Sequence, residues 1–384
     1  MSIESKNLIS QLDTIVSLPS VSSAIPELDT SNREVIEFLA NSFESLGFSC
    51  EIVPCNSNIN KVNLIATLGS GPGGLVLAGH TDTVPFDDKL WTYNPFKVTE
   101  SDGKLYGLGV TDMKGFFPII LESIKPLLSE NFKEPLIVLA TADEETSMQG
   151  ARTIAELGRP RARAAIIGEP TGLKPVKAHK GMMMDSIHLK GKSGHSSDPT
   201  LGNNALDGMH KVITELMLYR SELKEKYSSD LFSVPYPTLN LGCIHGGDNP
   251  NRICGECELK FDIRLTPGMN INSVRAEIRK RLTKITEPLN LTYEMSEIFT
   301  GIPAFFVREN SDLLRTAESL TGHSGITVGF GTEGPFLRDL GMDTIILGPG
   351  NIDQAHKPDE YMSTDMVNPT IEFLRKVISL YCLN

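Results

Sequence analysis

Five short runs of almost uninterrupted apolar residues limit what this chain can fold into. They are VNLIATL (62–68), GLVLAG (74–79), PLIVLAT (135–141), RAAIIG (163–168) and DTIILG (343–348). A strand with one wet face alternates apolar and polar residues, because successive side chains point to opposite sides. Runs without that alternation, rich in β-branched residues, predict strands buried on both faces, as in an α/β sheet covered by helices. Helical segments lie between several of them, for example 114–130 and 148–158. A further amphipathic helix is expected over 31–46. Ser31 and Glu34 form a capping box there, Val35, Phe38, Leu39, Phe43 and Leu46 form the apolar stripe, and Gly47 ends it.

The stretch 181–293 has a different texture. MMMDSIHLKG, PTLNLGCIHGG and CELKFDIRL read as half-buried strands, and 206–227 and 272–285 read as amphipathic helices. The order β-α-β-β-α is that of a small two-layer α+β domain. The full length of 384 residues also exceeds what one small core needs. We therefore expect an α/β protein whose catalytic domain is split into 1–180 and 294–384 by an inserted domain at 181–293.

Several function classes drop out on composition. Lys and Arg total 36 against 48 Asp and Glu, a net charge of −12, which gives no electrostatic reason to bind nucleic acid. No apolar run approaches the ~20 residues of a membrane span. The N-terminus alternates acidic and apolar residues, without a signal peptide's basic start and apolar run. Six cysteines are sparse for this length, and Cys254-x-x-Cys257 lacks the second pair that a zinc ribbon needs. These points make a cytoplasmic protein the expectation. Gly69–Gly74 matches G-x-G-x-x-G, but it leads into another strand rather than a helix, and Pro72 removes a backbone donor. We read it as a hairpin turn and not as a dinucleotide site.

The chemistry lies in where acids and histidines fall. His80 and Asp82 end GLVLAG, Asp143, Glu144 and Glu145 end LIVLAT, Glu169 ends AAIIG, and His356 follows DTIILG. Asp112 sits in LGVTDMKG, just before a helix. In open α/β sheets, ligands bind outside the carboxyl ends of the strands. Alone, each residue has a plainer use, as a cap, a turn residue or a solvated surface acid. Their coincidence on one rim points to a metal site. In an extended chain His80 and Asp82 share a face, so Asp82 can accept one ring N–H while the other nitrogen binds metal. Glu144 and Glu145 point apart, which leaves one carboxylate for metal and the other for protons. Imidazoles with several carboxylates suit zinc, cobalt or manganese better than calcium or copper.

GHTDTVP, LGVTDMKG, ATADEETSMQGA, IIGEPTG and LGPGNIDQAHKPDEY together resemble the dinuclear zinc aminoacylase and peptidase family, over nearly the whole chain. That family holds acetylornithine deacetylases, succinyl-diaminopimelate desuccinylases and carboxypeptidases. The longer stretches GGLVLAGHTDTVPFDD, LATADEETSMQGAR and VPYPTLNLG are most similar to the first of these. The resemblance implies a zinc-exopeptidase-like mixed sheet flanked by helices, with an inserted dimerisation or lid domain. It implies two Zn²⁺ or Co²⁺ ions per subunit, bridged by Asp112. One would be completed by His80 and Glu169 and the other by Glu145 and His356. Glu144 would be the general base and Asp82 the orienter of His80. The Asp112–Met113 peptide would be cis.

By the same resemblance, His195 in SGHSSDP would reach the partner's active site in a homodimer. Asn251 and Arg264 would grip a substrate carboxylate, a task a guanidinium performs through paired hydrogen bonds. The segment Gly331-Thr332-Glu333 would line the substrate site, with Glu333 free to pair with a cationic tail such as the ornithine δ-ammonium. The implied reaction is hydrolysis of N2-acetyl-L-ornithine to L-ornithine and acetate, within arginine biosynthesis. A succinyl-diaminopimelate desuccinylase, a broad N-acyl-amino-acid deacylase and a dipeptidase are the alternatives.

Overall fold

The computed structural model describes residues 3–56 and 58–383; residues 1 and 2, which open the N-terminal segment read above, lie outside them. The chain divides into two compact units. Met1–Lys177, Val307–Ile326 and Thr332–Asn384 make the first, and Ala178–Phe306 with Thr327–Gly331 make the second.

In the first unit the chain forms β1 (Ser49–Pro54), β2 (Val62–Leu68), β3 (Leu75–His80), β4 (Leu136–Thr141) and β5 (Ala164–Ile167). The second unit contributes β6 (Gly181–Lys190), β7 (Thr238–Gly246), β8 (Glu256–Leu265) and β9 (Thr292–Ile302), and β10 (Asp343–Ile346) returns to the first. Six neighbouring strands of the first sheet run β1-β2-β4-β3-β5-β10, and the sheet continues beyond β10. Its pairs β4–β3, β3–β5 and β5–β10 are parallel, whereas β1–β2 and β2–β4 are antiparallel. This is a central mixed sheet flanked by helices, as expected. Every residue of β3, β4, β5 and β10 is buried, which is why those runs carry no alternation. One covering helix, Phe116–Ile124, is buried on all sides, and its sequence FFPIILESI has almost no polar face.

Two local expectations fail. The helix over 31–46 is observed as Arg33–Glu44, and no capping box forms. Asn32 takes the N-cap position, but its amide is drawn away to Val62 O and Thr81 Oγ1, both at 2.8 Å. Ser31 Oγ instead donates to Asn60 O at 2.5 Å. Tertiary partners outcompete the local cap. Nor is the glycine loop a hairpin: β4 lies between β2 and β3, so residues 69–74 cross over its start. A Cβ on Gly74 would meet Pro135 O at 2.0 Å, and Gly74 has φ +83°. The glycines serve close backbone passage.

The second unit is a sheet ordered β7-β8-β6-β9, antiparallel throughout, with helices Ala205–Lys226 and Ile271–Thr286 on one face. Burial alternates along β8, as its sequence pattern requires. All six cysteines are free. Cys254 precedes β8 and Cys257 lies within it, and both are buried in this core.

Candidate metal centre

Parallel strands end at the same edge, so the residues that follow them meet there. His80 is the last residue of β3, Asp143–Glu145 follow β4, and Glu169 follows β5. His356 follows β10 after a longer loop, and Asp112 comes in from the loop before Phe116–Ile124. The Asp112–Met113 peptide is cis.

The Asp112 carboxylate stands between the two imidazoles. Its Oδ1 lies 3.1 Å from His80 Nε2, and its Oδ2 lies 3.6 Å from His356 Nε2. His356 Nε2 also lies 3.0 Å from Glu145 Oε2. One ligand atom each from His80, Asp112 and Glu145 falls within 4.8 Å of the others. Opposite His80 Nε2, its Nδ1 lies 3.0 Å from the Asp82 carbonyl, with the Asp82 carboxylate at 3.6 Å. A ring proton donated at Nδ1 leaves Nε2 available as a ligand. The structure thus gives the closer contact to the backbone of Asp82. Its carboxylate accepts the Glu144 N–H at 3.2 Å and the Glu145 N–H at 3.1 Å, which shapes the turn presenting both acids.

Burial is the main reason the Glu144 carboxyl stands well above the usual range; Glu169, Glu145 and Glu333 add to it and His80 opposes it. Glu169 is raised well above its usual range in the same way, by burial first and then by Asp112, Glu333 and Glu145. For His80 burial disfavours the charge, but Asp112 and Asp82 outweigh it and raise the pKa. Burial of so many acids at one rim favours their neutral forms, and a bound cation would let them ionise. Glu169 is 3% exposed, and its Oε1 has no hydrogen-bond partner among the described residues. A buried carboxyl oxygen without a donor fits a position facing a cation. The donor set of imidazoles and carboxylates is one that zinc or cobalt accepts. These residues therefore fit the metal that the sequence implied.

Glu360 has a task that the sequence did not assign. Its Oε1 accepts Thr111 N at 2.7 Å and Asp112 N at 3.0 Å, and its Oε2 accepts Gly109 N at 3.0 Å. It fixes the loop that carries Asp112, although 248 residues separate the two in sequence. Burial pushes its carboxyl up to about 8, with those N–H groups opposing and Asp112 adding to the rise. The only signal in the sequence was one more acid in the motif around His356.

Thr332 and Glu333 are buried in the first unit, just before the helix Gly334–Asp339. Burial pushes the Glu333 carboxyl up to about 7, against a hydrogen bond from Thr141. Gly331 belongs to the second unit, where an added Cβ would meet Ile302 Cδ1 at 3.0 Å. Of the other second-unit candidates, His195 and Asn251 are exposed and adjacent: Ser196 N donates to Asn251 O at 3.1 Å, and His195 bridges Arg252. His195 Nδ1 lies 2.7 Å from Ser197 Oγ. Arg264 is near the far end of β8, with its Nε on Asp262 at 3.2 Å. Along the chain, β8 thus separates Arg264 from the loop of Asn251.

A sequence model described as peptidase family M20/M25/M40 matches residues 76–380. An M20 family metallo-carboxypeptidase from Sulfolobus solfataricus is similar at a TM-score of 0.74 and 22% identity, over 99% of each chain. A tripeptidase from Staphylococcus aureus is similar at a TM-score of 0.73 and 21% identity, over 98% of each chain. A dinuclear metal binding peptidase of the M20 family from Bacillus subtilis gives a TM-score of 0.67 and 14% identity, again over 98% of each. At these identities the solved structures establish the fold.

Proposed function

The chain belongs to peptidase family M20/M25/M40, and from that membership we propose that it hydrolyses an amide bond of N-acyl amino acids, with N2-acetyl-L-ornithine as substrate and L-ornithine and acetate as products. The observation that carries the reading is the placement of Asp112, with an imidazole facing each of its oxygens and the Glu144 base on the neighbouring turn.

The difficulty is a resonance-stabilised carbonyl attacked by a weak nucleophile. His80, Asp112 and Glu169 would hold one Zn²⁺ or Co²⁺, and Asp112, Glu145 and His356 a second, supplying a more acidic water and a polarised acyl carbonyl when bound. Glu144 takes the proton of the attacking water and later returns it to the leaving amine. Asp82 keeps the 144–145 turn in place and the His80 ring oriented. In this reading His195 stabilises the developing oxyanion across a homodimer, and Asn251 and Arg264 take the α-carboxylate. Such an enzyme belongs in the cytoplasm, in arginine biosynthesis. No helix among the described residues is long and apolar enough to cross a membrane.

The test is a panel of N2-acetyl-L-ornithine, N-succinyl-diaminopimelate, an uncharged N-acetyl amino acid, a dipeptide and a tripeptide. Each is assayed after chelation and again after zinc or cobalt is restored. Acetylornithine should be turned over with the highest kcat/KM, and chelation should abolish that turnover reversibly. The competing substrate class is a short peptide, favoured by the likeness to the staphylococcal tripeptidase. Faster cleavage of the peptides would establish it, and turnover that survives chelation would remove the metal mechanism.

Glu333 adds a specificity element with Gly331 and Thr332. Its Oε1 is buried and has no hydrogen-bond partner among the described residues, which leaves an oxygen for a substrate cation. Glu333→Gln should raise KM for acetylornithine about tenfold, the worth of one modest charge pair. KM for the uncharged N-acetyl amino acid should stay unchanged. Equal effects on both substrates would refute the role.

A further inference from the structure

The Glu144 turn is held from a second side by a residue that the reaction does not touch. Lys61, immediately before β2, is 1% exposed. Its Nζ donates to Asp29 Oδ1 at 2.7 Å and lies 2.9 Å from Asp143 Oδ1. Asp143 directly precedes the base. It has φ +57°, a left-handed conformation that a residue with a Cβ adopts at a cost. Its carbonyl accepts Ser147 N at 3.1 Å and Met148 N at 2.7 Å, which closes the turn. The hydroxyl of Ser22 donates to the same Asp143 Oδ1 at 2.9 Å, and Ser22 Oγ is 2.7 Å from Thr146 Oγ1.

A buried ammonium is an expensive way to fill space. Ordinary packing would use Leu or Met. The charge has a use only if it fixes something directional, and what it fixes here is the first residue of the turn. Asp82 grips the N–H groups of Glu144 and Glu145 from one side, while Lys61 and Ser22 grip the Asp143 carboxylate from the other. We propose that Lys61, clamped by Asp29, is a positioning residue for the catalytic base: it locks Asp143 in its left-handed conformation and so aims Glu144. The inference rests on the reading of Glu144 as base.

The experiment uses the metal-loaded enzyme, with rates counted per metal-loaded subunit. Lys61→Met should lower kcat about 10- to 100-fold, the effect of moving a catalytic group by an ångström or less. KM should change less than about twofold, because no substrate contact is lost. A purely structural lysine would lower the melting temperature and the loaded fraction but leave kcat per loaded subunit intact, and that result overturns the proposal. Because Lys61 acts through Asp143, Lys61→Met combined with Asp143→Asn should show the same kcat as Asp143→Asn alone. Fully multiplicative losses overturn it too. Should Lys61→Met not fold, Ser22→Ala removes one neutral donor from the same carboxylate. A several-fold fall in kcat at constant KM then supports the clamp, and an unchanged kcat sinks it. The base reading is checked separately with Glu144→Gln. If that variant is inactive while Lys61→Met runs at full speed, only the clamp is wrong; if it stays active, the base assignment falls.

Discussion

Glu144→Gln should lower kcat by about 10²–10⁴-fold, the range that a positioned general base contributes. Glutamine matches the shape and the backbone bonds to Asp82 but cannot accept the proton. Glu144 is not among the proposed ligands, so the metal content of the variant should match that of the unchanged protein. Mass spectrometry of bound metal beside steady-state kinetics checks both halves. Wild-type turnover by a fully loaded variant would move the proton to another group. The burial that raises the Glu144 carboxyl also makes it a stronger base than a solvent-exposed carboxylate.

Asp112→Ala should empty both metal positions rather than one. The two oxygens of this carboxylate face different imidazoles, His80 at 3.1 Å and His356 at 3.6 Å. Removing it takes away the one carboxylate that faces both imidazoles, so each position loses a ligand oxygen. Metal affinity should fall at least about 100-fold at each position, the upper end of what losing even an outer-shell partner costs. Turnover should disappear with it. Titration of the apoprotein with zinc, followed by calorimetry, reads the number of sites and their affinities. Two sites of unchanged affinity would rule out a bridging role.

The candidate site was unevenly legible in the sequence. His80, Glu145, Glu169 and His356 could be found because each follows an apolar run, and such runs become strands whose ends coincide when the strands are parallel. The boundaries of β2 were readable to the residue, since VNLIATL is preceded by Lys61 and followed by the turn-forming Gly69. His80 and Asp82 do meet, as side chains on one face of a strand can, with the Asp82 carboxylate 3.6 Å and its carbonyl 3.0 Å from the ring Nδ1. The hairpin assigned to Gly69–Gly74 failed because adjacency in sequence was taken for adjacency in the sheet, and β4 lies between. The capping box failed because Ser31 and Asn32 had better partners 29 and 30 residues away.

Lys61 and Glu360 were beyond reach for the same reason. Nothing in the residues around Lys61 marks it as buried, and nothing around Glu360 says which N–H groups its oxygens accept. By itself the sequence determined the buried strands and the stock of acids and histidines delivered to one edge, because those follow from periodicity and chain direction. Tertiary structure alone decided which of those groups face one another and which are merely held in place. That depends on strand order and on hydrogen bonds such as the one between Gly109 and Glu360, 251 positions apart, about which local pattern carries no information.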